Sequence, residues 1–281
     1  MIIFKKANTL FQFLQQHKQS GENIGFVPTM GALHKGHLSL IKASKLENNI
    51  TVCSIFINPA QFNNKEDFEK YPVTLEDDIE KLMGAECDIL FLPGVEEIYS
   101  DHYVVNRYQL GKIESILEGE YRPKHFQGVC QVMDRLLQFV SPDELYLGQK
   151  DYQQCMVIKK LVEMIGKQEV INIKICETVR EADGLAMSSR NLRLNNEQRN
   201  RAAHLFKTLI FIKEHFQHKD FNELKQTAKI KLQGMGIKVD YVEIADANTL
   251  DAAPTNSSKK LIALIAASID NIRLIDNMAL N

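Results

Sequence analysis

The sequence predicts an α/β fold in which a doubly wound parallel sheet is followed by a smaller C-terminal α+β domain. Two observations carry this prediction. Short apolar runs alternate with segments of helical period through the first 180 residues or so, and beyond Asn191 two helical stretches precede three apolar runs with no helix between them. A third observation concerns function. The most distinctive polar segments fall just after the apolar runs or in loops, and parallel sheets bind ligands at the C-terminal ends of their strands.

Each element follows from local pattern. Residues 24–27 read as a buried strand, ended by Pro28. Gly31 lets the chain turn, and a helix then begins through His37, Leu38, Leu40 and Ile41. Residues 50–57 and 89–92 are further buried strands, short and rich in Ile, Val, Leu and Phe. Residues 67–83 between them are rich in charge, with a helix after Pro72 that Thr74 caps, Asp77 lying three residues on. A helix over 129–139 puts Val132, Leu136 and Phe139 on one face. A short strand, 144–147, ends at Gly148; a helix over 152–165 and a strand over 170–175 follow. Helices are then expected over 196–216 and 221–232, with Gly234 and Gly236 breaking the second. Strands over 239–245, 261–269 and 272–276 complete the chain, the last two joined by an Asp270-Asn271 turn. The domain boundary falls within residues 177–190, which puts the loop from Met187 to Arg190 at the junction.

Composition narrows the function classes. A chain of 281 residues can bury a sizeable core, and 44% hydrophobic and 25% charged residues are ordinary for a soluble globular protein. A net charge of −2 gives no general attraction to nucleic acid or to an anionic membrane. Lys159-Lys160 and Lys259-Lys260 are local clusters that read as solvated surface. The five cysteines, at 53, 87, 130, 155 and 176, are scattered without a Cys-x-x-Cys, as expected of reduced thiols in a cytosolic protein. No apolar run approaches a membrane span, and the first six residues are too short in apolar length for a signal peptide.

The most informative segment is Pro28-Thr-Met-Gly-Ala-Leu-His-Lys-Gly-His37. Histidines three apart share a helix face near its N-terminus, where free N–H groups and a partial positive charge favour an anion. Gly36 between them permits close approach to the backbone. Neither a His-Glu-x-x-His pattern nor a Cys or second His pair at ligand spacing accompanies them, so the pair does not read as a metal site. A second segment, Arg180-Glu-Ala-Asp-Gly-Leu-Ala-Met-Ser-Ser-Arg-Asn191, gives the first its meaning. Together they resemble the HIGH and KMSKS elements of the nucleotidyltransferase superfamily, which bind ATP and stabilise attack at its α-phosphate.

Five ordered blocks sharpen the resemblance to the pantothenate synthetase family. They are the segment 28–37, Ser54-Ile-Phe-Ile-Asn-Pro-Ala-Gln-Phe62, Arg122-Pro-Lys-His-Phe-Gln-Gly128, Leu147-Gly-Gln-Lys-Asp-Tyr-Gln-Gln154 and Gly184-Leu-Ala-Met-Ser-Ser-Arg-Asn191. Lys35 and Leu147 depart from the family pattern, where Glu and Phe are more usual. The resemblance implies a Rossmann-like domain over 1–180 that binds ATP and pantoate, and a C-terminal lid domain over 181–281. It implies ATP-dependent joining of (R)-pantoate to β-alanine through a pantoyl-adenylate, in a cytoplasmic homodimer. ATP with Mg²⁺ is expected, the metal riding on phosphates and water because no acidic cluster offers a protein cage.

The resemblance also implies roles. Met30, Gly31, Ala32, Leu33, His34, Lys35, Gly36 and His37 would meet ATP, with His37 as proton donor. So would Gly148 and Asp151 near ribose, Gln149 and Lys150, Val179 near adenine, and Met187, Ser188, Ser189 and Arg190. His34, His37 and Lys150 are the catalytic candidates. Adenylyl transfer needs positioned cations and donors more than a covalent nucleophile. Lys150 supplies a mobile cation, and Ser188, Ser189 and Arg190 offer two hydroxyls and a guanidinium fork. Gln61 and Gln154 each carry a donor and an acceptor for pantoate. Pro28, Met30 and Phe62 would form an apolar wall with Asn58 nearby, while Arg122 and His125 lie in a covering loop, Arg122 attracting the β-alanine carboxylate. Another nucleotidyltransferase, such as phosphopantetheine adenylyltransferase, is shorter and lacks the paired glutamines. A regulatory nucleotide-binding protein would not need His34, His37, Lys150 and Ser188–Arg190 intact.

Overall fold

The computed structural model describes residues 1–100 and 103–281. In chain order the elements are β1 (Ile2–Phe4), α1 (Ala7–Gln19), β2 (Ile24–Thr29), α2 (Lys35–Glu47), β3 (Ile50–Ile55), α3 (Lys65–Glu69), α4 (Leu75–Gly84), β4 (Ile89–Phe91) and α5 (Val95–Ile98). Then come α6 (Glu118–Tyr121), α7 (His125–Val140), β5 (Glu144–Gly148), α8 (Tyr152–Met164), β6 (Asn172–Cys176), α9 (Asn196–His215), α10 (Phe221–Gly234), β7 (Lys238–Asp246), β8 (Leu261–Ile269) and β9 (Ile272–Ala279).

The first six strands form one parallel sheet in the order β1-β4-β3-β2-β5-β6. From β2 the chain winds one way through β3 and β4, then returns to place β5 on the other side of β2. That reversal opens a crevice above the C-terminal ends of β2 and β5, the position where such sheets bind ligands. Both faces are covered. Leu10 and Leu14 of α1, Leu136 of α7 and Val157 of α8 pack with Phe26, Val52 and Phe91 on one side. Ile41 of α2 and Leu82 of α4 pack with Val27, Cys53 and Leu90 on the other. A strand buried on both faces is built mainly of apolar residues, and β2 to β4 are, interrupted only by Gly, Pro, Thr and Ser.

The last three strands form an antiparallel sheet, β7-β8-β9, as expected. Leu205, Leu209, Leu224 and Leu232 of α9 and α10 cover one face. The other meets the first unit, with Ile262 and Leu264 packed beside Leu117, Ile116, Tyr152 and Met156. Double-sided burial explains why β8 is apolar throughout. Among the described residues no helix is long and apolar enough to cross a membrane, and Cys53, Cys87, Cys130, Cys155 and Cys176 are all free.

Several expectations need correction. Pro28 does not end its strand, because β2 continues to Thr29. Its pairing with β5 stops at Phe26 while that with β3 continues, so by position 28 one side of the strand is open and a missing N–H is tolerated there. Thr74 makes no side-chain cap; its hydroxyl donates to Asp78, one residue beyond the expected partner. His125 is not in a loop but opens α7, four residues ahead of the predicted start. β1, α1, α3, α5 and α6 had no counterpart in the sequence reading.

Candidate active site

The site is built on the turn between β2 and α2. Gly31 adopts φ +80°, the left-handed geometry that the turn requires. The chain then passes over α4, whose Asp78 accepts hydrogen bonds from the N–H groups of Ala32 (2.8 Å) and Leu33 (2.6 Å). Lys81, one helical turn on, donates to the Leu33 carbonyl at 2.7 Å. Ser189 donates to the Ala32 carbonyl at 3.0 Å, tying the Met187–Arg190 loop to the same turn. Asp78 is 1% exposed. Truncating it orphans two buried amides, at about 1–3 kcal/mol each. Asp78→Ala is therefore expected to lose roughly 2–4 kcal/mol of stability by urea unfolding, and a change within experimental error would show that the turn holds itself.

His34 is the N-cap of α2, and its Nδ1 accepts the Gly36 N–H at 3.2 Å. His37 returns the bond: its Nδ1 accepts the His34 N–H at 3.3 Å. The two rings lie 3.9 Å apart between centroids. An Nδ1 that accepts leaves the neutral ring's proton on Nε2, so both imidazoles present an Nε2–H donor at the far edge of the ring. Burial holds both below the usual histidine range, His34 at about 2 with the neighbouring His37 and Lys150 adding to it, and His37 at about 4 with Lys150 and Lys81 adding to it. The helix start thus differs from expectation. The Gly36 and His34 amides are occupied, and the imidazoles carry donor capacity in their place. Gly36 has a matching reason to be glycine: a Cβ there would stand 2.9 Å from the His34 ring.

These residues line one cavity at the crevice. Met30, His34, Gly36 and His37 come from the β2–α2 turn, Gln61 from the turn after β3, and Gly148, Lys150, Asp151 and Gln154 from the segment after β5. Val179, Met187, Ser188, Ser189 and Arg190 close it from the segment after β6. The other positions expected to meet ATP lie behind it or outside it. Gly31, Ala32 and Leu33 form the supporting turn, and Lys35 is exposed on α2. Gln149 faces Asn277 of β9, to which its Nε2 donates at 3.3 Å.

The polar groups differ in how free they are. Among the described residues the only carboxylate within 4 Å of the Lys150 Nζ is Asp151, at 3.7 Å, and Nζ makes no hydrogen bond. Gln154 likewise has no hydrogen-bond partner among them. Gln61 is more engaged: its Oε1 accepts from Asn58 at 3.2 Å and its Nε2 donates to Met30 Sδ. Ser189 is committed to Ala32, and Ser188 Oγ accepts the Arg190 N–H at 3.3 Å, so neither hydroxyl is idle. Arg190 donates to Asp67 through Nη2 at 2.8 Å and Nε at 3.4 Å, and Arg193 shares the same carboxylate at 2.8 Å. Phe62 packs on Phe68 and Tyr71, so the apolar wall comes from Pro28, Met30, Phe56 and Leu147.

A smaller cavity adjoins the first, sharing Lys150, Asp151 and Gln154 and adding Glu118, Arg122 and His125. The guanidinium of Arg122 approaches Glu118 no closer than 3.8 Å, because Glu118 is already forked by Arg273 at 2.6 and 2.8 Å. Burial lowers Arg122 to about 10. His125 is buried against the Gln61 carbonyl at 2.8 Å, and burial, with Arg122 beside it, holds it at about 3.

Sequence reasoning missed Asp78, Asp67, Phe56 and Asn277. The first sits among Glu76, Asp77 and Glu80, where nothing marks which carboxylate turns inward. Asn277 had one signal: a polar pair, Asp276-Asn277, of which both members are buried in a strand whose only other polar residue is Arg273.

A sequence model of the family described as pantoate-beta-alanine ligase matches residues 2–279. The pantothenate synthetase of Flavobacterium psychrophilum is 43% identical over 286 residues, covering 100% of both chains. That of Cytophaga hutchinsonii is 42% identical over 291 residues, covering 100% of this chain and 99% of its own. Among solved structures, a pantothenate synthetase from Thermus thermophilus superposes with TM-score 0.92 at 36% identity, covering 100% of this chain and 99% of that one. The pantoate-beta-alanine ligase of Francisella tularensis, complexed with beta-gamma ATP and beta-alanine, gives TM-score 0.84 at 37% identity, covering 100% and 98%.

Proposed function

The chain belongs to the pantoate-beta-alanine ligase family, and from that premise we propose how its cavity joins (R)-pantoate to β-alanine. ATP supplies AMP as the activating group. The pantoate carboxylate attacks the α-phosphate and pyrophosphate departs, leaving pantoyl-adenylate. The β-alanine amine then attacks the acyl carbon and releases AMP. The observation that carries this reading is the meeting of one ammonium, Lys150, whose nearest carboxylate is Asp151 at 3.7 Å, with two Nε2–H imidazoles at the switch point of a parallel sheet.

His34, His37 and Lys150 receive the phosphate charge. Arg190 contributes through Nη1, which has no hydrogen-bond partner among the described residues. Val179 and Met187 face the adenine and Gly148 and Asp151 the ribose. The committed hydroxyl of Ser189 makes it a brace of the turn, leaving Ser188 the nearer to ligand. Mg²⁺ travels with ATP. The carboxylates on the cavity lining, Asp151 and Glu177, do not converge with a third metal-binding group among the described residues, so phosphate oxygens and water would hold the ion. Arg122, buried without a close counter-ion at the edge of the smaller cavity, awaits the β-alanine carboxylate. Residues 181–281 cover the crevice from the β9 side. A cytoplasmic homodimer completes the proposal, on the family resemblance.

Pantoate-dependent exchange of pyrophosphate into ATP, measured without β-alanine, tests the first half-reaction. Exchange that needs β-alanine, or none at all, would sink the adenylate reading.

Gln61 and Gln154 follow β3 and β5, the two strands that flank β2, so their amides converge on the acyl pocket. A buried site that expects a hydroxyl rejects a ligand lacking it, because its own groups are left unpaired. The wild-type protein is expected to discriminate strongly against 2-deoxypantoate. Gln61→Ala or Gln154→Ala should erode that ratio by at least tenfold, about the worth of one hydrogen bond, while ATP binding persists. Equal kcat/KM ratios in all three proteins would remove the glutamines from substrate reading.

A further inference from the structure

Asn277 lies on β9, in the second sheet, yet its side chain is devoted to the segment that carries Lys150. Its Nδ2 donates to the carbonyls of Gln149 and Lys150, both at 2.9 Å, and its Oδ1 accepts from Gln149 Nε2 at 3.3 Å. Both amide hydrogens are thereby used and the oxygen has one partner, and the residue is 2% exposed. The preceding residue works on another wall of the cavity. Asp276 takes Arg180 as a bidentate pair at 2.7 and 3.0 Å, and Arg180 also donates to the Gly184 carbonyl at 3.0 Å. Arg180 and Gly184 form the base of the loop that presents Ser188 and Arg190, since position 180 bridges to Ala186. Two neighbouring residues of one strand therefore grip both cation-bearing loops.

We propose that Asn277 is a positioning residue for Lys150, holding its backbone so that the ammonium faces the cavity, and that Asp276 holds the opposite loop from the same strand. This rests on the assignment of Lys150 to the phosphates above. The physical need is plain. The Lys150 ammonium has no hydrogen bond of its own to direct it, and the residue sits in a three-residue helical turn, Gln149–Asp151, whose first two carbonyls are tied down by Asn277. A flexible four-carbon side chain on an unanchored turn spreads its charge over several positions, and misplacement by about 1 Å costs on the order of 10²-fold in a positioned reaction.

The test is a double-mutant cycle on single-turnover adenylate formation in the full-length protein. Asn277→Asp keeps the shape and removes both donors; Asn277→Ala removes the side chain. Each is expected to lower the adenylation rate by about tenfold, with the KM for pantoate within about twofold of wild type. In a Lys150→Ala background the same changes should cost less than about twofold, because the group they position is gone. Leu274→Ala, which opens a cavity in the core of the same sheet, controls for lost stability and should leave adenylation by folded protein unchanged. Undiminished cost in the Lys150→Ala background overturns the proposal, as does an equal rate loss in Leu274→Ala. A Lys150→Ala protein with wild-type adenylation would instead overturn the assignment of Lys150 itself, and is recognised from that single variant alone.

Discussion

His37→Ala is expected to fold normally and to slow adenylate formation by roughly 10²–10³-fold, the scale for one lost transition-state donor. The expectation follows from how the ring is held. The Nδ1 of His37 is fixed by a backbone N–H, which sets the tautomer and aims Nε2–H toward the cavity. With its pKa lowered to about 4 by burial and by Lys150 and Lys81, the ring is neutral at pH 7, so it donates a hydrogen bond without contributing a net charge before ATP arrives. Departing pyrophosphate gathers negative charge, so the bond strengthens along the reaction, which is the condition for raising kcat over mere binding. Single-turnover transfer of AMP to pantoate measures the effect. A folded variant at near wild-type rate would end the proposed role.

Lys150→Ala should also cost about 10²-fold or more in adenylation, while pantoate affinity stays within about threefold. Its ammonium is mostly shielded from water, with 17% of the side chain exposed, and lacks a short ion pair. A cation in that state is poorly solvated until an anion reaches it, so nearly all of its interaction energy is available to phosphate. On the proposed assignment Gln61 and Gln154 anchor pantoate, which should therefore bind without Lys150. Calorimetry with pantoate alone, run beside the kinetics, separates the two effects. Selective loss of pantoate affinity would move Lys150 to the acyl pocket.

Much of the first sheet could be read from the sequence because a doubly covered parallel strand is mostly apolar, as at 24–27, 50–55 and 89–91, where Thr51 and Ser54 are the only polar residues. β1 and α1 escaped for the opposite reason. Ile2 and Ile3 are 48% and 44% exposed at the sheet edge, and α1 buries only Ala7, Leu10 and Leu14, with Phe11 exposed and Phe13 half-buried among polar residues. The site residues separate in the same manner. His34, His37 and Lys150 lie beside glycines at strand ends, a local signature, and the family resemblance added Val179, Gly148 and Asp151. Asp78 and Asn277 act through partners 45 and 127 positions away, so no window of sequence could join them to the turns they hold. Ser189 was read as a phosphate ligand because a loop hydroxyl looks free until the loop is folded against Ala32.

The span between Lys150 and Asn277 also sets a clock. A ribosome adding about 5–20 residues per second puts on the order of ten seconds between the two. Once β6 (Asn172–Cys176) has been made, all six strands of the first sheet are present, while the carbonyls of Gln149 and Lys150 still have no Asn277 to meet. If Asn277 positions Lys150 as proposed, adenylation by the unfinished chain would be slowed by the same factor of about ten expected of Asn277→Ala.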